Sequence, residues 1–365
     1  MTKARPYFLV VLLAIALGGV SRAEEPAPFP QPRDDDGRFA NLAGPLDRAG
    51  IDVTFPFFLR RIGKIFAGSD GIPAQVQNDG AFLRANATAS VPTITWIGHA
   101  TMLVQMEHQS FLTDPMWSKR ASPLSWAGPK RFHPPGVAQS DLPPIDFVVV
   151  SHNHYDHLDL DSLVEIATRN PNARFFVPLE NGALLRDAGI EHVEEMGWGQ
   201  IARSGDLEIH CLPTQHWSRR GAFDGMETLW ASWAVVGPNE RFYFAGDTGY
   251  FAGFKEIGAR LGPFDLAAVP IGAYRPREMM KVFHMDPAEA VQAGRDVQAR
   301  ALIGMHYGTF DLSDEPPSEP PELFRAAGRV AGYGQGEIRL PAIGQPLVLS
   351  SGEPAVTLPL LDVTE

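Results

Sequence analysis

The chain has 365 residues, 44% of them hydrophobic, enough to bury the core of one large α/β domain or two small ones, which excludes a chain disordered throughout. A formal net charge of −12 argues against nucleic acid as a partner, because a phosphate backbone is bound through clustered Lys and Arg. Cys211 is the single cysteine, so no disulfide can form within the chain, and stability must come from the core or from metal.

Taken in chain order, residues 1–23 carry Lys3 and Arg5, an apolar run from Tyr7 to about Val20, and a small-x-small ending at Ser21 and Ala23. This is the pattern of a secretory signal peptide and predicts export, periplasmic in a bacterium, with an uncleaved N-terminal anchor as the alternative. Cleavage would remove Lys3, Arg5 and Arg22 and take the net charge from −12 to −15. No later apolar run is long enough to span a bilayer core of ~30 Å. Residues 24–90 read as an N-terminal arm, rich in Pro, Gly and charge up to about residue 50. Within it, "FPFFLRRIGKIF" (55–66) sets Phe57, Phe58, Ile62, Ile65 and Phe66 on one helical face with Arg60, Arg61 and Lys64 at its margin. Such a helix suits either packing on the domain or peripheral contact with an anionic lipid surface.

From residue 91 to about 350 the pattern becomes regular. β-rich runs occupy 93–106, 109–114, 146–151, 173–178, 207–214, 229–237, 240–247, 265–272 and 300–308. Helices are predicted at 159–169, 181–188, 253–261, 286–299 and 320–328. Early hairpin-spaced strands followed by mixed β and α units imply a single α/β domain of two mixed sheets flanked by helices.

The stretch "SHNHYDHLD" places His152, His154, Asp156 and His157 directly after the apolar strand that ends at Ser151. In an extended chain His152 and His154 point the same way toward one metal, while Asp156 and His157 turn toward a second. Asp159 is placed as the N-cap of the helix that follows. Four ligand-type side chains cannot complete two metal sites, so further ligands are required at other strand ends. His216 follows "IHCLPTQ", Asp247 ends "RFYFAGD" and opens a "GDTG" turn, and His306 follows "ALIGM".

These residues resemble the metallo-β-lactamase superfamily, whose signature is H-x-H-x-D-H followed by later His, Asp and His. The segments "WIGHATMLVQ", "FLTDPMWSKRASPLSWAGPKRFHPPG", "LPPIDFVVVSHNHYDHLD", "FAGDTGY", "HMDPAEAVQAG" and "MHYGTF" further resemble the N-acylphosphatidylethanolamine-hydrolysing phospholipase D family, over roughly residues 35–335. The resemblance implies an αβ/βα sandwich with a dimetal site at one edge. It also implies one zinc held by His152, His154 and His216, a second held by Asp156, His157 and His306, and Asp247 bridging both. Two such ions ~3.5–4 Å apart lower the pKa of a shared water toward ~7 and neutralise phosphodiester charge. The implied reaction is hydrolysis of a glycerophospholipid to phosphatidic acid and an N-acylethanolamine. The same ligands suit another ester, a lactone or a soluble phosphodiester, and iron or manganese would fit them as well. A non-catalytic metal-binding protein is disfavoured because all seven ligand positions are filled.

Around these ligands, the resemblance implies that Asp114 in "LTDP" accepts a hydrogen bond from a ligand histidine or loop amide, with a plain Asp-Pro turn as the alternative. His284 precedes "MDPAEAV", where Asp286, Pro287 and Glu289 spell an N-cap, a first-turn proline and a capping-box partner. Beside this helix N-terminus His284 is open to contact with a phosphoryl oxygen, to protonation of the leaving alkoxide, or to a purely structural role, and the resemblance to the phospholipase D family, where this position is functional, favours the first two. The catalytic set expected from the sequence is therefore Asp156, Asp247, His284 and Asp114. His99 in "GHAT" can pack under the metals or touch them. Trp126, Lys130, Arg131 and Phe132 lie on a loop open to either a lipid headgroup or plain solvent, and Trp198 and Trp217 are placed at the site mouth. Cys211 matches no ligand slot and reads as a buried, inert thiol. Two roles stay open for the arm from 24 to 66, peripheral membrane contact and a homodimer interface.

Overall fold

The computed structural model of the protein describes residues 29–47, 49–64 and 71–361. The predicted signal peptide lies outside the described residues. No helix among the described residues is long and apolar enough to cross a membrane.

Two seven-stranded mixed sheets face each other. The first holds β1 (Thr93–Gly98), β2 (Thr101–Met106), β3 (Gln109–Thr113), β4 (Phe147–Val149), β5 (Arg174–Pro178), β6 (Val193–Met196) and β14 (Pro346–Val348), in the order β14-β1-β2-β3-β4-β5-β6. The second holds β7 (Ile201–Ser204), β8 (Leu207–Leu212), β9 (Ser232–Val236), β10 (Arg241–Phe244), β11 (Leu266–Pro270), β12 (Leu302–Met305) and β13 (Ile338–Arg339), in the order β13-β12-β11-β10-β9-β8-β7. Among the described residues eight α-helices accompany them: α1 (Ile51–Lys64), α2 (Ala81–Ala89), α3 (Leu160–Arg169), α4 (Gly182–Asp187), α5 (Gly253–Leu261), α6 (Arg277–Met280), α7 (Pro287–Asp296) and α8 (Glu319–Val330).

The central strands read as unbroken apolar runs because both of their faces are covered. Phe147 and Val149 of β4 point between the sheets, with Trp96, Phe111, Phe176, Trp233, Phe242 and Phe244. Val148 and Val150 point the other way, toward Leu83 of α2, Leu163 and Ile166 of α3 and Leu185 of α4. On the far side, Phe254 and Ile257 of α5, Val291 of α7 and Phe324 of α8 cover the second sheet. The strands with no counterpart among the expected runs are β6, β7, β13 and β14, and these are the four sheet edges. An edge strand needs only one partner and is short or polar, so periodicity does not mark it.

Strand direction positions the site. In the first sheet β1 and β3 run the same way, since each is antiparallel to β2, and β4 is parallel to β3. In the second, β8 and β10 are both antiparallel to β9, and β11 and β12 follow β10 in parallel. Ligands gather beyond the carboxyl ends of such strands, and every residue singled out in the sequence for the metal site follows one of them.

Several expectations are corrected here. Asp159 does stand at the start of α3, but its carboxylate makes no capping bond; it accepts from the Ser118 amide and hydroxyl and from Ser162, tying the loop after β3 to the helix. Trp198 is not at the site mouth: it is buried, and its indole N–H donates to the Trp230 carbonyl at 2.7 Å. Arg131 is not a surface cation: it turns inward and donates to the carbonyls of Met116 and Ser118, while Trp126 and Lys130 on the same loop stay exposed. The helix expected over 55–66 spans Ile51–Lys64 and lies against α6, with Arg60 paired to Asp314 at 2.7 Å. Phe57 is buried, whereas Ile51, Phe55 and Leu59 are exposed; Ile65 and Phe66 lie outside the described residues. Phe29 and Phe39 of the arm are buried and join the larger apolar cluster.

Candidate metal centre

The loop after β4 delivers His152, His154, Asp156 and His157, and the second sheet delivers His216, Asp247, His284 and His306 opposite them. Among the described residues the ligand atoms fall into overlapping sets, each within 4.8 Å: His152 with His154 and His216; His99 with Asp156, His157 and His306; Asp247 with His152 and His157; and Asp247 with His284 and His306. His154 faces inward through Nδ1, which lies 2.8 Å from His152 Nε2 and 3.3 Å from His216 Nε2. On the other side, Asp156 Oδ2 lies 3.4 Å from both His157 Nε2 and His306 Nε2. Asp247 Oδ2 is 3.1 Å from each of the same two nitrogens and 3.9 Å from both His216 Nε2 and His284 Nδ1.

These separations fit metal. An ion bound at ~2.0–2.1 Å in tetrahedral geometry sets its ligand atoms about 3.3 Å apart. The buried atoms His157 Nε2, His306 Nε2, His284 Nδ1 and Asp247 Oδ1 have no hydrogen-bond partner, a costly arrangement unless something else satisfies them.

The electrostatics agree. Burial alone would lower His157 and His306, yet Asp247 and Asp156 outweigh it, lifting His157 well above the usual imidazole range and His306 to about 9. Burial alone would raise Asp156 and Asp247, but the same histidines hold both carboxylates well below their ordinary value. The two carboxylates thus favour positive charge between them. His152 and His216 are pushed well down, and His154 and His284 to about 4, by burial first. Neutral imidazole is the form that binds metal.

The ligands are held from behind. Asp114, fully buried, accepts from the Ser151 amide, the Ser151 hydroxyl and His157 Nδ1, all at 2.6 Å. His157 Nε2 is thereby turned into the site. His216 Nδ1 meets the Phe283 carbonyl at 3.1 Å. Asp114, His99 and His306 adopt left-handed backbone with φ of 36°, 55° and 62°, strain of a kind that concentrates at functional sites. Gly246, at φ 59°, precedes Asp247, and a Cβ there would stand 2.7 Å from Ser151 Cβ. The predicted capping box of α7 is present: Asp286 accepts from the Ala288 and Glu289 amides, and Glu289 accepts from the Asp286 amide. It seats His284 beside the site. Trp217 is half-buried beside the ligands, its ring 4.6 Å from His154 and 5.7 Å from Phe283.

The model of the β-lactamase superfamily domain matches residues 109–307. The N-acyl-phosphatidylethanolamine-hydrolyzing phospholipase D 1 of Caenorhabditis elegans is 47% identical over 247 residues, covering 64% of this chain and 69% of the relative. The chain belongs to the metallo-β-lactamase superfamily, in its N-acylphosphatidylethanolamine phospholipase D-like branch. An uncharacterized protein of Mycobacterium tuberculosis is 46% identical over 244 residues, covering 66% of this chain and 64% of its own length. The chain therefore spans about two thirds of these relatives. Igni18, a metallo hydrolase of Ignicoccus hospitalis, shares the fold with a TM-score of 0.54 at 23% identity, over 70% of this chain and 97% of that one.

As a metal-dependent hydrolase of this superfamily, the protein places all seven residues expected as ligands, together with His284 and Asp114, in one cluster. Asn41 and Ser151 were not foreseen. Asn41 is buried in the arm; its side chain donates to the His216 carbonyl at 2.8 Å and accepts from the His216 amide at 3.1 Å. Asn41 sits in no periodic or ligand-type pattern, and Ser151, though it opens "SHNHYDH", is not itself a ligand type, so the local sequence marks neither role. Cys211 is fully buried, its thiol 3.4 Å from the Met196 carbonyl and raised well above its usual range by burial, outside the site as expected.

Proposed function

We propose that this hydrolase is an exported phosphodiesterase that holds two zinc ions and cleaves an N-acylphosphatidylethanolamine-like glycerophospholipid to phosphatidic acid and an N-acylethanolamine. The observation that carries the metal pair is Asp247: one buried carboxylate oxygen faces His157 and His306 on one side and His216 on the other. A carboxylate can bridge two ions and suits phosphoester chemistry. The lipid substrate is supported by the 47% identical relative whose name states that activity.

In this reading His152, His154 and His216 would hold one ion, Asp156, His157 and His306 would hold the other, and Asp247 would be shared between them. The ions would supply charge stabilisation at phosphoryl oxygens and a water deprotonated near neutral pH. Asp114 keeps the His157 proton on Nδ1, leaving Nε2 free for metal. His284 has an unpartnered Nδ1 3.9 Å from Asp247 Oδ2, and in this reading it donates a hydrogen bond to a phosphoryl oxygen or to the leaving alkoxide. Trp217 and Phe283 offer apolar surface to an acyl chain. Peripheral membrane contact through the exposed Ile51, Phe55 and Leu59 of α1 belongs to the same proposal; a homodimer through the arm is the alternative use of that surface. Export rests on the pattern of residues 1–23 and is tested by N-terminal sequencing of protein recovered from a periplasmic fraction.

The deciding experiment gives the zinc-loaded protein an N-acylphosphatidylethanolamine in mixed micelles, a soluble phosphodiester and a lactone, with Asp247→Asn as the blank. Lipid turnover that dominates and disappears in the variant is expected. Metal-dependent cleavage of the lactone or soluble phosphodiester alone would keep the site and overturn the substrate.

A further inference from the structure

His99 lies outside the expected ligand set, yet it is placed where the two halves of the site meet. It occupies the turn between β1 and β2, and its side chain is 1% exposed. Its Nε2 is 3.0 Å from Asp156 Oδ2. Its main chain is fixed from three directions: the amide donates to Thr309 Oγ1 at 2.8 Å, and the carbonyl accepts from the Trp96 indole at 2.9 Å and from the His306 amide at 3.0 Å. The His99 and His306 rings lie 4.1 Å apart, centroid to centroid, and Phe310 closes the other side at 5.2 Å.

One residue of the first sheet therefore grips both loops that bring Asp156 and His306 together. The side chain holds the carboxylate, and the backbone holds the histidine that follows β12. A carboxylate oxygen has two lone pairs, so Asp156 Oδ2 can accept from His99 and still offer the other pair to a cation between His157 and His306. His99 is buried while the Asp156 side chain is 15% exposed, so a side chain too short to reach Asp156 would free the carboxylate to rotate toward solvent and away from its partners.

We propose that His99 is a positioning residue for the second metal centre: it donates Nε2–H to Asp156 Oδ2 and aligns Asp156 with His157 and His306. The inference rests on the two-ion reading of the site. It requires the Nε2–H tautomer, with Nε2 acting as a hydrogen-bond donor and not as a metal ligand.

The test compares Co(II) binding and the Co(II) d–d spectrum in the wild-type protein, His99→Asn and His99→Gln, with thermal unfolding of each metal-free protein as a check on folding. Asn tolerates the left-handed backbone but is too short to reach Asp156; Gln is long enough to bring an amide N–H to the same oxygen. In His99→Asn the second ion should bind roughly tenfold more weakly or worse, with an altered spectrum, while the first binds as before. His99→Gln should recover most of the affinity and the wild-type spectrum. Wild-type affinity for both ions in His99→Asn would overturn the proposal. Equal loss of the second ion in both variants would also overturn it, in favour of His99 coordinating directly or acting only as packing. A wild-type protein that binds a single ion would instead fail the two-ion reading, and the proposal would fall with it.

Discussion

Replacing Asp114 by Asn removes one charge and exchanges one oxygen for an NH2 group, with almost no change in volume. In the native site the carboxylate accepts three hydrogen bonds at 2.6 Å, from the Ser151 amide, the Ser151 hydroxyl and His157 Nδ1. The Asn oxygen can retain the Ser151 amide, which leaves the NH2 group facing His157 Nδ1. Two donors cannot pair, so His157 must accept at Nδ1 and carry its proton on Nε2. That nitrogen faces Asp156 at 3.4 Å and Asp247 at 3.1 Å and is the one a metal needs unprotonated. A charge-assisted hydrogen bond of this kind contributes about 1.5–3 kcal/mol. Loss of such a supporting partner lowers metal affinity roughly 10–100-fold, equivalent to about 1.4–2.7 kcal/mol. Competition with a chromophoric chelator, read separately for the two ions, measures it: the ion at His157 should weaken by that factor, and the ion at His152, His154 and His216 much less. Affinity for both ions within about threefold of wild type would refute the tautomer argument.

Asp247→Asn should reduce the number of tightly bound ions below the two proposed, by elemental analysis of the dialysed protein, because the carboxylate proposed to bridge them loses its charge; an unchanged metal content would contradict the bridging role. Gly246→Ala combines a left-handed φ with a Cβ 2.7 Å from Ser151 Cβ, and should cost about 2 kcal/mol or more in urea unfolding; a loss within about 0.5 kcal/mol would show that the turn relaxes freely. The Glu240 carboxyl is raised to about 7, by partial burial first and then by Glu107. A carboxyl raised on folding binds more protons folded than unfolded, so wild-type stability falls as pH rises from about 4.5 to 7. Glu240→Gln should therefore gain on wild type between about pH 5 and pH 8, by no more than ~1 kcal/mol because the group is only partly buried and solvent screens it; a difference unchanged across that window would refute the shift. Cys211 should resist thiol reagents in the native protein and react only on unfolding; rapid stoichiometric labelling of the native protein would contradict its burial.

Much of this molecule follows from local pattern. The strands buried on both faces announce themselves as apolar runs, since no position along them meets water. The ligands of the loop after β4 are legible because four of them lie within six residues, and Asp247 and His306 because each stands just past such a run. The α7 capping box is written in three neighbouring residues, and the structure keeps it. What the sequence leaves open involves partners distant along the chain. The four edge strands lack a periodic signal because only one neighbour constrains each of them. Asp159 has the chemistry of a cap, but loop residue Ser118, 41 positions away, takes its carboxylate. Arg131 and Trp198 read as surface groups until tertiary packing encloses them. Asn41 and His99 reach His216 and Asp156 across 175 and 57 residues. Residue type sets which atoms can donate, accept or bind metal; only the closing of the two sheets brings those atoms within 3–4 Å, where the buried charges and hydrogen bonds fix their roles.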